Sequence, residues 1–105
     1  MLVSLEKLNA GSFAEQLNTT FNLLIDSAPP IRLKLVEVKE SDPSPRIELF
    51  ALHFRGPSSP HLPQGIYRME HAKVGTLEIF ITAIAAEPDG ILYESIFHRF
   101  RNSAA

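Results

Sequence analysis

Residues 65–90 read GIYRMEHAKVGTLEIFITAIAAEPDG, and this stretch decides the fold. Its apolar-rich runs, Gly65–His71 and Thr76–Ala85, are joined by His71-Ala72-Lys73-Val74-Gly75, a short loop that ends in glycine. That is the pattern of a β-hairpin, with Gly75 free to take the positive φ that the chain needs before it re-enters the sheet. The second run closes on Glu87-Pro88-Asp89-Gly90, and Leu62-Pro63-Gln64-Gly65 ahead of the first run has the same order, proline second and glycine fourth. Proline presets φ at the first central position of a turn, and glycine suits the exit of a type I turn.

Working outward, the eight prolines punctuate the rest of the chain in the same way. Proline cannot donate a hydrogen bond inside a sheet, so the apolar runs between prolines are the strands. They are Thr20–Asp26, Ile31–Glu40, Arg46–Arg55, Gly65–His71, Thr76–Ala85 and Ile91–Phe100, six candidates with turns between them. Phe21, Leu23 and Ile25 alternate with more polar neighbours, which makes a one-sided strand. In the next run Ile31, Leu33 and Leu35 oppose Arg32 and Lys34, and then the phase slips so that Val36 and Val38 oppose Glu37 and Lys39. A slip of one residue predicts a β-bulge near Leu35-Val36, a device that lets a sheet bend into a barrel. Residues 47–54 and 77–84 are apolar on both faces and belong at the centre of a sheet, covered by the barrel itself, the N-terminal segment or a second subunit.

One short helix is predicted over residues 12–18. Ser12-Phe13-Ala14-Glu15 matches a capping box, Phe13 and Leu17 supply an apolar stripe, and Asn18 tolerates the left-handed conformation that ends helices. The fold class is therefore all-β: about six antiparallel strands in a small meander barrel with one short N-terminal helix. With 105 residues, the chain has enough surface for one modest core, so residues 1–105 form a single small domain with a frayed tail at 101–105.

Composition narrows the chemistry. The absence of cysteine excludes disulfides, zinc ribbons, iron–sulfur clusters and thiol catalysis. A net charge of -2 gives no general pull towards phosphate backbones or anionic lipid. The start, MLVSLEKLNAG, places Glu6 and Lys7 after a few apolar residues, and neither a secretory signal nor a membrane span fits, so the expected location is cytoplasmic, with export by a route that leaves no such signal as the alternative. The histidines, His53, His61, His71 and His98, show no chelating spacing on a strand or helix. Ser58, Ser59 and His61 lie close in sequence, but no nucleophile elbow or phosphate loop accompanies them. The expectation is a non-enzyme with no cofactor and no metal. Arg32 and Lys34 share a strand face, yet Glu48, Glu78 and Glu94 lie among the cations, a pattern of cross-strand ion pairs more than of nucleic-acid binding. The long proline-stiffened linker Arg55–Gly65 is the place to look for recognition, with edge cover as the competing role. Its neighbourhood supplies the candidate contact residues Arg55, His61, Gln64, Tyr67 and His71, and Gly56, Gly65, Gly75 and Gly90 are the candidate turn residues.

The segments FALHFRGP (50–57), LPQGIYRMEH (62–71), VGTLEIFI (74–81) and YESIF (93–97) together resemble an uncharacterised family of small bacterial proteins, a domain of unknown function. The likeness runs over roughly residues 13–97. Its motifs are turn glycines and core aromatics that name no chemistry. The chain departs from the family at Asn18, where glycine is usual, and at Thr82-Ala83, where proline is frequent. The resemblance implies a structural or assembly role of the phage-tail-like or tail-collar kind. Together these features favour a structural or protein-interaction module that self-associates or docks a protein partner. The alternative is a barrel that binds a small ligand or an oligonucleotide with loop 55–65. The turn reading makes one prediction: Gly75→Val lowers stability by roughly 1–3 kcal/mol in denaturant unfolding, whereas an unchanged midpoint would mean the hairpin is misplaced.

Overall fold

The computed structural model describes residues 2–100. A 3-10 turn (Leu5–Lys7) and helix α1 (Ala10–Ala14) precede strands β1 (Thr20–Leu24), β2 (Ile31–Ser44), β3 (Ile47–Gly56), β4 (Gly65–His71), β5 (Gly75–Glu87) and β6 (Gly90–Phe100). All pairings between them are antiparallel, and the order β1-β2-β3-β6-β5-β4 closes on itself where β1 meets β4. Each strand overlaps its expected run and β4 matches end to end, but β2 runs past its expected end at Glu40 to Ser44. The frayed tail expected at 101–105 lies outside the described residues.

The strand order is not a simple meander. β1-β2-β3 and β4-β5-β6 each run as one, but β3 pairs with β6 instead of β4, so residues 57–64 cross from one half of the ring to the other. Complementary apolar rows explain the choice. Along the β3–β6 ladder Phe50 faces Phe97 and Phe54 faces Tyr93, and all four are buried. β4 has only 7 residues and could not cover the two-sided apolar β3 over its length.

The slip of pattern in β2 is a bulge, as its sequence predicts. Leu35 pairs with Phe54 and Glu37 with His53, which leaves Val36 as the extra residue. A second irregularity between Ser41 and Ser44 lets β2 continue through Pro43, where a break was expected; a residue without an N–H is tolerated where the ladder is already interrupted. The turn itself falls on Pro45-Arg46.

The helix differs from expectation in position and cap. It spans Ala10–Ala14, and its N-cap is Asn9. The Asn9 carboxamide oxygen accepts the Ser12 N–H at 2.8 Å, while the Ser12 hydroxyl accepts the Asn9 N–H at 3.2 Å, so Ser12 is the reciprocal partner of the box and not its start. Leu17 consequently falls beyond the helix and is 41% exposed. Phe13 is the main anchor of the element, fully buried against Phe50 and Phe97, with the buried Ala10 beside it. Burying one such ring is worth roughly 1.5–3 kcal/mol, which is what holds so short a helix. Asn18 takes φ 68° and donates its N–H to the Leu35 carbonyl at 2.7 Å, so the position asks for a residue that accepts the left-handed region.

Gly75 and Gly90 are hairpin residues with φ 98° and 140°. Gly56 and Gly65 end β3 and begin β4, so Leu62-Pro63-Gln64-Gly65 is part of the crossing connection, not a second tight turn. Gly90 carries a further constraint, because a Cβ there would stand 2.1 Å from the Gly56 carbonyl oxygen. Gly90→Ala is therefore expected to cost more than the ~1–3 kcal/mol of backbone strain alone, and more than the same change at Gly75. Urea unfolding of the two alanine variants checks the order; equal midpoints would contradict it.

Candidate functional site

Beneath the 57–64 connection the ring is filled. Leu62 turns inward and is 4% exposed, with its N–H donating to the Tyr93 hydroxyl at 3.0 Å. The Tyr67 hydroxyl donates to the Pro63 carbonyl at 2.6 Å, and the Thr82 hydroxyl reaches the Gln64 side-chain oxygen at 3.5 Å. Tyr67 and Gln64 thus fasten the loop to the barrel. His61 stands exposed on it.

His71 is buried at the other end of β4 and is fully engaged. Its Nδ1 accepts the N–H groups of Lys73 and Val74 at 3.0 and 3.1 Å, which assigns the proton to Nε2. Nε2 donates to the Thr19 hydroxyl at 2.7 Å, and that hydroxyl donates to the Gln16 carbonyl at 2.6 Å. The ring also lies against Phe21 at 4.3 Å between centroids. His71 therefore ties the β4–β5 loop to the turn after α1. Burial, and secondarily the charge of Lys73, lowers its pKa from the usual 6.5. Glu70, its neighbour, points to the exposed side.

Arg55 donates from Nη2 and Nε to Glu87 at 2.9 and 3.2 Å and lies 3.7 Å from Asp89, so the β5–β6 turn is clipped to β3. Lys34 is the direct cross-strand partner of Arg55, and Arg32 lies two residues along. Together with Gly56, Pro57 and Asp89 they line a shallow groove of 380 Å³. Elsewhere the charges pair as the alternation suggests. Arg68 meets Glu78 at 3.2 Å, and the buried His53 stands between Glu37 at 3.1 Å and Glu94 at 2.9 Å. Among the described residues, no three His, Asp or Glu side chains come together as metal ligands. Likewise, no described helix is long and apolar enough to cross a membrane.

Two features lie outside the candidate residues that the sequence singles out. The first is Arg99. Its guanidinium donates to Glu48 at 2.8 Å, to the Leu5 carbonyl at 2.8 Å and to the Leu8 carbonyl, and lies over the rings of Phe50 and Phe97 at 5.6 and 5.5 Å. It clamps the N-terminal segment across the ring. The signal was available, since Arg99 continues the inward parity of Tyr93, Ser95 and Phe97, and Glu48 that of Phe50, Leu52 and Phe54. The second is an apolar surface on the outside of β4, β5 and β6. Ile66 and Phe80 are direct cross-strand partners, 71% and 49% exposed, and Ile96 is 61% exposed beside them. They border a groove of 340 Å³ whose floor includes Ile79, Ser95 and Phe97.

These features define a small ring-shaped β-domain with a filled interior and an apolar outer face. The chain belongs to the family described as a domain of unknown function (DUF6916), whose model matches residues 8–97. No curated protein and no solved structure matches it.

The His71 network generates a pH prediction. Folding lowers this pKa, so the unfolded chain binds a proton more readily near pH 6.5 and stability falls on acidification through that region. The stability advantage of the parent over His71→Gln should be largest at neutral pH and shrink towards pH 5. A difference constant with pH, measured by urea unfolding, would contradict the assignment.

Proposed function

We propose that this domain is a non-catalytic structural or protein-interaction module, an assembly component of the phage-tail-like kind that the family resemblance implies, and that it associates through the outer face of β4, β5 and β6. The observation that carries this reading is the exposure of Ile66, Phe80 and Ile96 as one contiguous surface around a groove. Single exposed apolar residues are ordinary, but a clustered patch on so small a domain marks a contact surface. A sheet face needs no reshaping to accept a partner, and a symmetric pair of such faces is self-complementary.

A second reading, binding of a small anionic ligand, draws on the groove of Arg32, Lys34 and Arg55. Like charges placed directly across a ladder destabilise it, and an anion would offset that cost. Glu87 and Asp89 already engage Arg55, however, which weakens the case.

Sedimentation at micromolar concentration, together with binding of an apolar dye, tests the first reading. The parent chain is expected to associate with rising concentration and to bind the dye. Phe80→Glu, with unchanged circular dichroism, should be a monomer that binds less dye. A strict monomer with no dye binding in the parent would overturn the reading.

A further inference from the structure

The β5–β6 ladder stops at Thr82↔Glu94, although β5 reaches back to Gly75 and β6 runs on to Phe100. Beyond that point, among the described residues, β5 is registered against β4 and β6 against β3, so the two strands face one another across a seam. In a strand, the N–H and C=O of alternate residues turn to the same side. Thr82 faces β6 at one end of the seam. At the other end the Thr76 carbonyl accepts the Val3 N–H at 2.7 Å, within a parallel bridge between Leu2 and Thr76. Glu78 and Phe80 share the parity of Thr76 and Thr82 and therefore turn their backbone groups into the seam. On β6, Ile96 and His98 share the parity of Glu94. The groove bordered by Phe80 and Ile96 lies over this same stretch, and Leu5 of the N-terminal segment, held by Arg99, lines it as well.

We propose that the open part of the seam is a strand-addition site, which takes an extended apolar segment of a protein partner onto the β5 edge at Glu78 and Phe80. The inference rests on the interaction-module reading and names the chemistry of the partner. Continuity with the chain's own contact identifies the occupant: the N-terminal segment adds to this edge by one parallel bridge at Thr76 before it turns into Leu5–Lys7. Among the described residues no main chain pairs from the seam side with the next positions of the edge, Glu78 and Phe80. Unused main-chain donors and acceptors call for another main chain, and the Ile79, Phe80, Ile96 and Phe97 walls call for apolar side chains at alternate positions. Thr76 and Thr82 are already paired, so the open edge is residues 77–81, roughly 17 Å long, which sets the segment at about five residues.

The test uses the full chain and a display library of random octapeptides. Selected peptides should alternate apolar and polar residues, and should shift the amide resonances of Glu78, Phe80, Ile96 and His98. Methylating the set of alternate backbone nitrogens that faces β5 should abolish binding while the other set tolerates methylation, because only strand pairing distinguishes the two. A peptide that shifts the same region and keeps its binding whichever of the two sets is methylated would overturn strand addition while leaving a contact face in place. Failure to select any binder would overturn strand addition too, and if the parent chain were also a monomer without dye binding, the interaction reading would fall with it.

Discussion

Ring closure is the constraint on which the rest of this structure depends. A sheet of six strands leaves edges unless its ends meet, and here they meet through β1 and β4, both short. The ladder between β5 and β6 covers only part of their length. The N-terminal segment closes the far end of the remainder, bonded to β5 at Thr76 and to Arg99 on β6. Arg99 can do this because Glu48 partners its charge and the Phe50 and Phe97 rings receive its flat face. A partly buried ion pair of this kind contributes less by Coulomb attraction than by the cost of leaving either charge alone. The pair therefore acts chiefly as a locator, fixing where the segment crosses the ring.

The same closure explains why the crossing connection is stiff and filled. Joining β3 to β4 across the ring leaves an end that water would enter, and Leu62 with the Tyr93 hydroxyl occupies it. Residues that looked suited to outside contacts, Gln64 and Tyr67, hold that loop in place. His71 fills a comparable post at the opposite end of β4. Apart from the exposed His61, the candidate contact side chains near the loop are thus largely engaged with the domain itself.

Much of the fold was legible because it depends on local rules. Proline and glycine placed the strand ends, and the slip at Leu35-Val36 disclosed the bulge through a period of two alone. The helix was misplaced by a local rule as well: Ser12 fits a capping box read forwards, but Asn9 three residues earlier completes it better, and a single-sequence pattern does not rank the two. Strand order was not legible, since both a meander and the observed crossing satisfy every turn. Choosing between them needs the pairing of Phe50 with Phe97 and Phe54 with Tyr93, contacts far apart in sequence. The contact face was half legible. The sequence pattern marks β5 as apolar on both sides, but only the register sets Ile66 opposite Phe80 and leaves their outer side bare.

The most direct measurement is a set of backbone nuclear Overhauser contacts in the isotopically labelled full chain, recorded with amide hydrogen exchange. The account predicts cross-strand contacts for Leu23–Met69, Phe50–Phe97 and Thr82–Glu94, with protected amides along those ladders, and a Leu2–Thr76 contact beside them. It predicts no backbone ladder between Phe80 and Ile96, and rapid exchange at Glu78 and Phe80. A continuous, protected ladder running from Thr82–Glu94 through Phe80–Ile96 would contradict it.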